Sequence, residues 1–224
     1  MVTAKQIISA VLLTFLLVIQ LAAQEKPGVI LSAAPKKVDT SARYLFYLHG
    51  RIVEQGRRPI SSEYGPYEYD EILNVFKSRG FVVVSEQRPK GSDVEQYAGK
   101  VANQVRQLLK AGVPPRNITV VGASQGSFIA MLASTYLKNR DVKFVLIAGC
   151  SAEARFLDTV DLHGSVLSIY ERSDGASSCE KYRADATGIA RYEEMQLQTG
   201  MRHGFIYRPI TEWVEATVSW ARGL

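Results

Sequence analysis

From Tyr44 onward the chain alternates short apolar runs with amphipathic stretches of helical period, and this alternation restricts it to an α/β architecture on a mostly parallel sheet. A run of four or five apolar residues is too short for a buried helix. A strand buried on both faces needs a crossover, usually helical, before its parallel neighbour. Residues 44–48, 81–84, 118–121, 142–148, 166–170 and 193–197 read as strands. Residues 67–79 carry Tyr69, Ile72, Leu73 and Phe76 at helical spacing, and Gly80 stops them. Residues 94–109 form a second helix with Val101, Val105, Leu108 and Leu109 on one face, ended by Gly112 and Pro114-Pro115. A third helix runs to Leu137, and a last one, 211–222, offers Trp213, Val214 and Trp220 for packing. Between the strands at 142–148 and 166–170 there is room for one helix and no lid. No internal repeat or low-complexity tract interrupts the pattern.

A chain of 224 residues is the size of one domain. Its 46% hydrophobic and 22% charged residues exclude disorder and a polytopic membrane protein. The net charge of +5 is spread along the chain, with Lys36-Lys37 and Arg57-Arg58 the only adjacent basic pairs, so no nucleic-acid surface is read from it. The first residues differ in kind. Lys5 precedes an apolar run from Ile7 to Ile19, followed by Gln20-Leu21-Ala22-Ala23 and a polar stretch containing Pro27. Residues 1–23 read as a signal peptide cut after Ala23, 24–42 as a linker and 43–224 as the folded domain, secreted or periplasmic. The alternative is an uncleaved anchor over residues 7–21, the one route to membrane association. Cys150 and Cys179 then sit in an oxidising compartment, where a disulfide and two free thiols are both open.

Gly122-Ala123-Ser124-Gln125-Gly126 lies where one apolar run ends and a helix begins. Serine held at the tip of a tight strand-to-helix turn is exposed for attack, and glycines on either side remove collisions with the neighbouring backbone. The pentapeptide alone is cheap, so its surroundings carry the argument. Serine needs a base, most often histidine oriented by a carboxylate. Of three histidines, His49 follows the first strand and shapes its loop, while His163 precedes a strand and belongs at the opposite end of the sheet. His203, in a glycine-flanked loop after the last strand, is the base. Asp174 follows the strand at 166–170 within Glu171-Arg172-Ser173-Asp174-Gly175 and is preferred over Glu171 as the carboxylate. Asp158 and Asp161 precede that strand and are misplaced. The backbone N–H of Gln125 is one oxyanion donor, and that of Arg51, in the loop after His49-Gly50, is the second. The Arg51 side chain either points to solvent or meets an acidic substrate. Tyr64 and Tyr67, with Tyr69, either line a substrate pocket or pack. Phosphate-loop, dinucleotide and zinc motifs are absent, so no cofactor or metal is expected.

With His49-Gly50, the Gly122 to Gly126 elbow, Asp174 and His203 in this order, the chain resembles the α/β-hydrolase superfamily from about Arg43 to Arg222. It is similar to small lidless members, dienelactone-hydrolase-like and carboxylesterase-like. It departs from them in two ways: the loop after His49-Gly50 lacks the extra glycines of many esterases, and serine stands where dienelactone hydrolases use cysteine. The resemblance implies helices on both faces of a sheet of about six or seven strands, without a cap domain. It also implies a serine hydrolase acting on a small-molecule ester through an acyl-enzyme. A peptidase or acyltransferase with the same residues, or a binding protein on the same scaffold, are the alternatives.

Overall fold

The computed structural model describes residues 28–150 and 159–224, so the expected signal segment or anchor and the connection at 151–158 lie outside the described residues. The elements in chain order are β1 (Val29–Leu31), β2 (Tyr44–Leu48), a small hairpin of β3 (Ile60–Ser61) and β4 (Gly65–Pro66), α1 (Tyr69–Ser78) and β5 (Val82–Val84). There follow α2 (Val94–Lys110), β6 (Ile118–Ala123), α3 (Gln125–Leu137), β7 (Lys143–Ile147), β8 (His163–Glu171), α4 (Glu180–Ala184), β9 (Gly188–Leu197) and α5 (Thr211–Arg222). Short 3-10 turns at Arg51–Gln55 and Arg202–Tyr207 flank the site described below. No helix among the described residues is long and apolar enough to cross a membrane.

Seven strands form one sheet in the order β1-β5-β2-β6-β7-β8-β9, and every neighbouring pair is parallel. The region read as a linker before residue 43 therefore contributes β1, a correction to the sequence reading. Three residues at the rim of a sheet carry too little alternation to be seen in the sequence. Successive residues of the central strands face opposite sides. Leu45, Tyr47, Val121, Ala123, Val145 and Ile147 join a core with α1 and α5. Tyr44, Phe46, Ile118, Val120, Phe144 and Leu146 join one with α2 and α3. This two-sided burial explains the unbroken apolar runs, because neither face of these strands meets water.

The topology also chooses where a site forms. From β2 the chain moves outward to β5, then crosses back through α2 to β6 on the other side of β2. The carboxyl ends of β2 and β6 thus border a topological switch point, where their connections part to opposite faces and leave a crevice. Helix α5 reaches the same end from behind. Its Trp213 is buried, and the indole N–H donates to the carbonyls of Phe205, at 3.2 Å, and Arg208, at 3.1 Å, fixing the turn that follows β9.

Candidate active site

Strand β6 ends at Ala123 and α3 begins at Gln125, so Ser124 alone makes the turn, at φ 53° and ψ −119°. Such a conformation in a non-glycine residue costs about 1–3 kcal/mol and persists where its surroundings over-determine it. Here the Ser124 N–H donates to Ile147 O at 2.8 Å, and the Ser124 carbonyl accepts from Ser127 N–H at 2.8 Å. A Cβ on Gly122 would lie 2.2 Å from the carbonyl oxygen of Gly126, and one on Gly126 would lie 1.8 Å from that of Leu48. Both glycines are demanded by packing.

His203 sits in the 3-10 turn after β9. Its Nε2 lies 3.1 Å from Ser124 Oγ, and its Nδ1 lies 2.7 Å from Asp174 Oδ2. Because a carboxylate accepts, Nδ1 carries the proton and Nε2 is left to accept from the serine hydroxyl. The structure brings Ser124, Asp174 and His203 together, and leaves the other two histidines elsewhere. His163 opens β8 at the far end of the sheet, with Nδ1 bonded to Asp161 O at 2.9 Å.

Glu171, the rival carboxylate, is engaged with Ser173 and Thr199, and His203 Nδ1 goes to Asp174 instead. It is buried, and its Oε2 accepts from the N–H and hydroxyl of Thr199, at 2.8 and 2.7 Å. Its Oε1 accepts from the N–H and hydroxyl of Ser173, at 3.2 and 3.0 Å, and the Ser173 hydroxyl in turn accepts from Arg202 N–H at 3.2 Å. Desolvation pushes the Glu171 carboxyl up, but the bonds from Thr199 and Ser173 outweigh it and hold the group below its ordinary range. Glu171 ties the Asp174 loop to the His203 loop. A disulfide between Cys150 and Cys179, Cα atoms 5.2 Å apart, secures the far end of the Asp174 loop.

On the opposite side of Ser124, the backbone at Gly50 approaches closely enough that a Cβ there would lie 3.5 Å from Ser124 Cβ. Gln125 opens α3 and Arg51 opens a 3-10 turn, so neither N–H has an acceptor within its own helix. Both residues line one cavity with Ser124 and His203. Buried Arg88 is the residue the sequence reading missed. Its guanidinium Nη2 donates to His49 O at 2.6 Å and to Gln125 Oε1 at 3.1 Å, and its backbone N–H donates to His49 Nε2 at 2.9 Å. One side chain therefore spans both segments expected to supply oxyanion donors. The only sequence signal was a basic residue soon after a buried strand. His49 donates from Nδ1 to Gly50 O at 2.8 Å, and desolvation, with the Arg88 charge adding to it, lowers its pKa to about 3. It is a neutral structural histidine.

The cavity at Ser124 holds about 350 Å³ and is walled by Ile52, Tyr67, Phe128, Ile206 and Tyr207 besides the polar residues named above. Tyr67 is among the lining residues, and its buried hydroxyl pairs with that of Tyr47 at 2.8 Å. Tyr64 is not among the lining residues, a correction to its expected place in the pocket. Its ring packs against Tyr207 and Gly204, with its centroid 6.4 Å from that of His203, and it supports the histidine loop. Among the described residues no group of His, Cys, Asp and Glu is placed to hold a metal ion.

No protein-family model matches the chain, and no curated protein matches it. Solved structures do. An Agrobacterium tumefaciens protein of unknown function, provisionally described as an alpha/beta hydrolase, superposes with a TM-score of 0.55 at 18% identity over 84% of this chain and 87% of that one. Arabidopsis thaliana SOBER1 gives 0.55 at 12% identity over 82% and 99%. A provisional YdeN-like hydrolase from Pectobacterium atrosepticum gives 0.51 at 13% over 82% and 92%. These likenesses are of fold. The chain has the α/β-hydrolase fold, with no separate cap domain among the described residues.

Proposed function

We propose that the chain is a serine hydrolase that cleaves carboxylic esters through an acyl-enzyme. The observation that carries this reading is the pair of hydrogen bonds, 3.1 Å from Ser124 Oγ to His203 Nε2 and 2.7 Å from His203 Nδ1 to Asp174 Oδ2, on a strained elbow. Ser124 Oγ attacks the ester carbonyl as His203 Nε2 takes its proton. The carbon–oxygen bond to the leaving group then breaks, and His203 returns that proton to the departing alkoxide. Water repeats the sequence: His203 removes its proton, hydroxide adds to the acyl carbon, and the carboxylic acid leaves as Ser124 regains the proton. Asp174 stabilises the imidazolium in both halves, and the N–H groups of Gln125 and Arg51 receive the oxyanion.

A cavity of about 350 Å³, with Ile52, Phe128 and Ile206 on one part of a wall that also holds polar residues, suits short acyl groups. Ser124→Ala should reduce turnover of nitrophenyl esters by at least ~10³-fold while the protein stays folded. Unchanged turnover would overturn the assignment. We also assign the domain to a secreted or periplasmic setting after removal of residues 1–23, a reading supported by the buried disulfide. The mass of the mature chain tests it.

A further inference from the structure

A second cavity, of about 370 Å³, adjoins the one at Ser124 and shares Arg51, Gln55 and Gln125 with it. Its remaining walls are Glu54, Lys90, Gly91 and Ser92. Its charges do not cancel. Glu54 is buried and committed to Arg88, whose Nε lies 3.5 Å from Glu54 Oε1, while Gly91 N–H donates to Oε2 at 3.0 Å. Arg51 and Lys90 are exposed and have no ion-pair or side-chain hydrogen-bond partner among the described residues. Other exposed cations flanking the site are treated differently: Arg57 is paired with Asp70, and Arg202 with Glu63. Two uncompensated cations in a concave wall raise the local potential and draw anions. The planar fork of Arg51 matches a carboxylate in particular.

Resting on the hydrolase reading, we propose that this second cavity is a subsite for a carboxylate, and that the preferred substrates are esters carrying one a few bonds from the scissile carbonyl. The Ile52, Phe128 and Ile206 side of the cavity at Ser124 would take the uncharged part of the ester, and Arg51 and Lys90 the anionic part. Neutral esters would then be turned over without the electrostatic part of recognition.

The test compares matched ester pairs at low salt: mono-p-nitrophenyl glutarate against p-nitrophenyl valerate for an anion on the acyl side, and 3-acetoxybenzoate against its methyl ester for one on the alcohol side. At about 10 mM ionic strength, where the screening length is ~30 Å, kcat/KM in at least one pair should favour the anionic ester by about 5-fold or more. The ratio should fall toward one at about 1 M salt, where that length is ~3 Å. Arg51→Gln, which keeps the backbone N–H, and Lys90→Gln should each lower the ratio by about 2- to 5-fold. Neutral esters turned over as fast as anionic ones in both pairs, or a ratio unmoved in the double variant, would overturn the subsite and leave the hydrolase reading standing. No turnover of any ester, with no covalent label on Ser124, would remove both.

Discussion

The two flanks of Ser124 are held by buried ionised groups of opposite sign, and they are held unequally well. On the acid–base flank Glu171 draws in N–H and hydroxyl donors from Thr199 and Ser173, so both carboxylate oxygens are satisfied. On the oxyanion flank Arg88 donates to His49 O and Gln125 Oε1, but its Nε and Glu54 Oε1 meet at 3.5 Å without a hydrogen bond. The Asp174 and His203 loops are therefore joined by several satisfied hydrogen bonds through one carboxylate. The oxyanion flank depends on one buried charge pair, and losing either partner strands the other.

The largest effect should come from breaking the acid–base flank at its chemical end. Asp174→Asn should lower kcat by about 10⁴-fold with the fold intact, because the imidazole loses its preferred tautomer and its counter-charge. A loss below tenfold would detach Asp174 from catalysis. Arg88→Met should cost about 3–5 kcal/mol in urea unfolding, since Glu54 is left buried and unpaired. In that variant kcat should fall more than KM rises, and Arg88→Lys should recover part of the stability but little of kcat. Equal stability in the Met variant would mean that the pair contributes nothing to this flank.

A smaller effect, about 1–3 kcal/mol, is expected for Glu171→Gln, which replaces an acceptor with an amide facing existing donors. Its sign with pH follows from the lowered carboxyl. Because the folded-state value lies below the unfolded one, the stabilisation is complete above about pH 4.3 and is lost as pH falls through the folded value. The gap between wild type and variant should be constant from neutral pH to about pH 5 and narrow in stronger acid. A gap that widens in acid would contradict the role given to Glu171.

Much of the scaffold was legible because its signals are local. The strands buried on both faces read as apolar runs, and α2 and α5 were read within a residue of their observed bounds. Strand β1, the β3–β4 hairpin and α4 were not, because elements of two to five residues hold too little periodicity to register. The site divides in the same way. Ser124 was legible from its glycines, and Asp174 and His203 from their order and their places after strands. Arg88 was not, since its partners lie 37 and 39 residues away and no local pattern links them. The sequence left Glu171 as the rival to Asp174 for the carboxylate, and its observed contacts give it a positioning place instead; the hydrogen bonds that decide this reach 28 residues along the chain to Thr199. The pairing of Cys150 with Cys179 was likewise a matter of distance in space.

The most direct measurement is covalent labelling of the folded chain with a fluorophosphonate probe, followed by mapping of the adduct by mass spectrometry. The expected result is a single stoichiometric adduct on Ser124, formed at least ~10³-fold more slowly in His203→Ala. An unlabelled folded protein, an adduct on another residue, or a rate indifferent to His203 would contradict it.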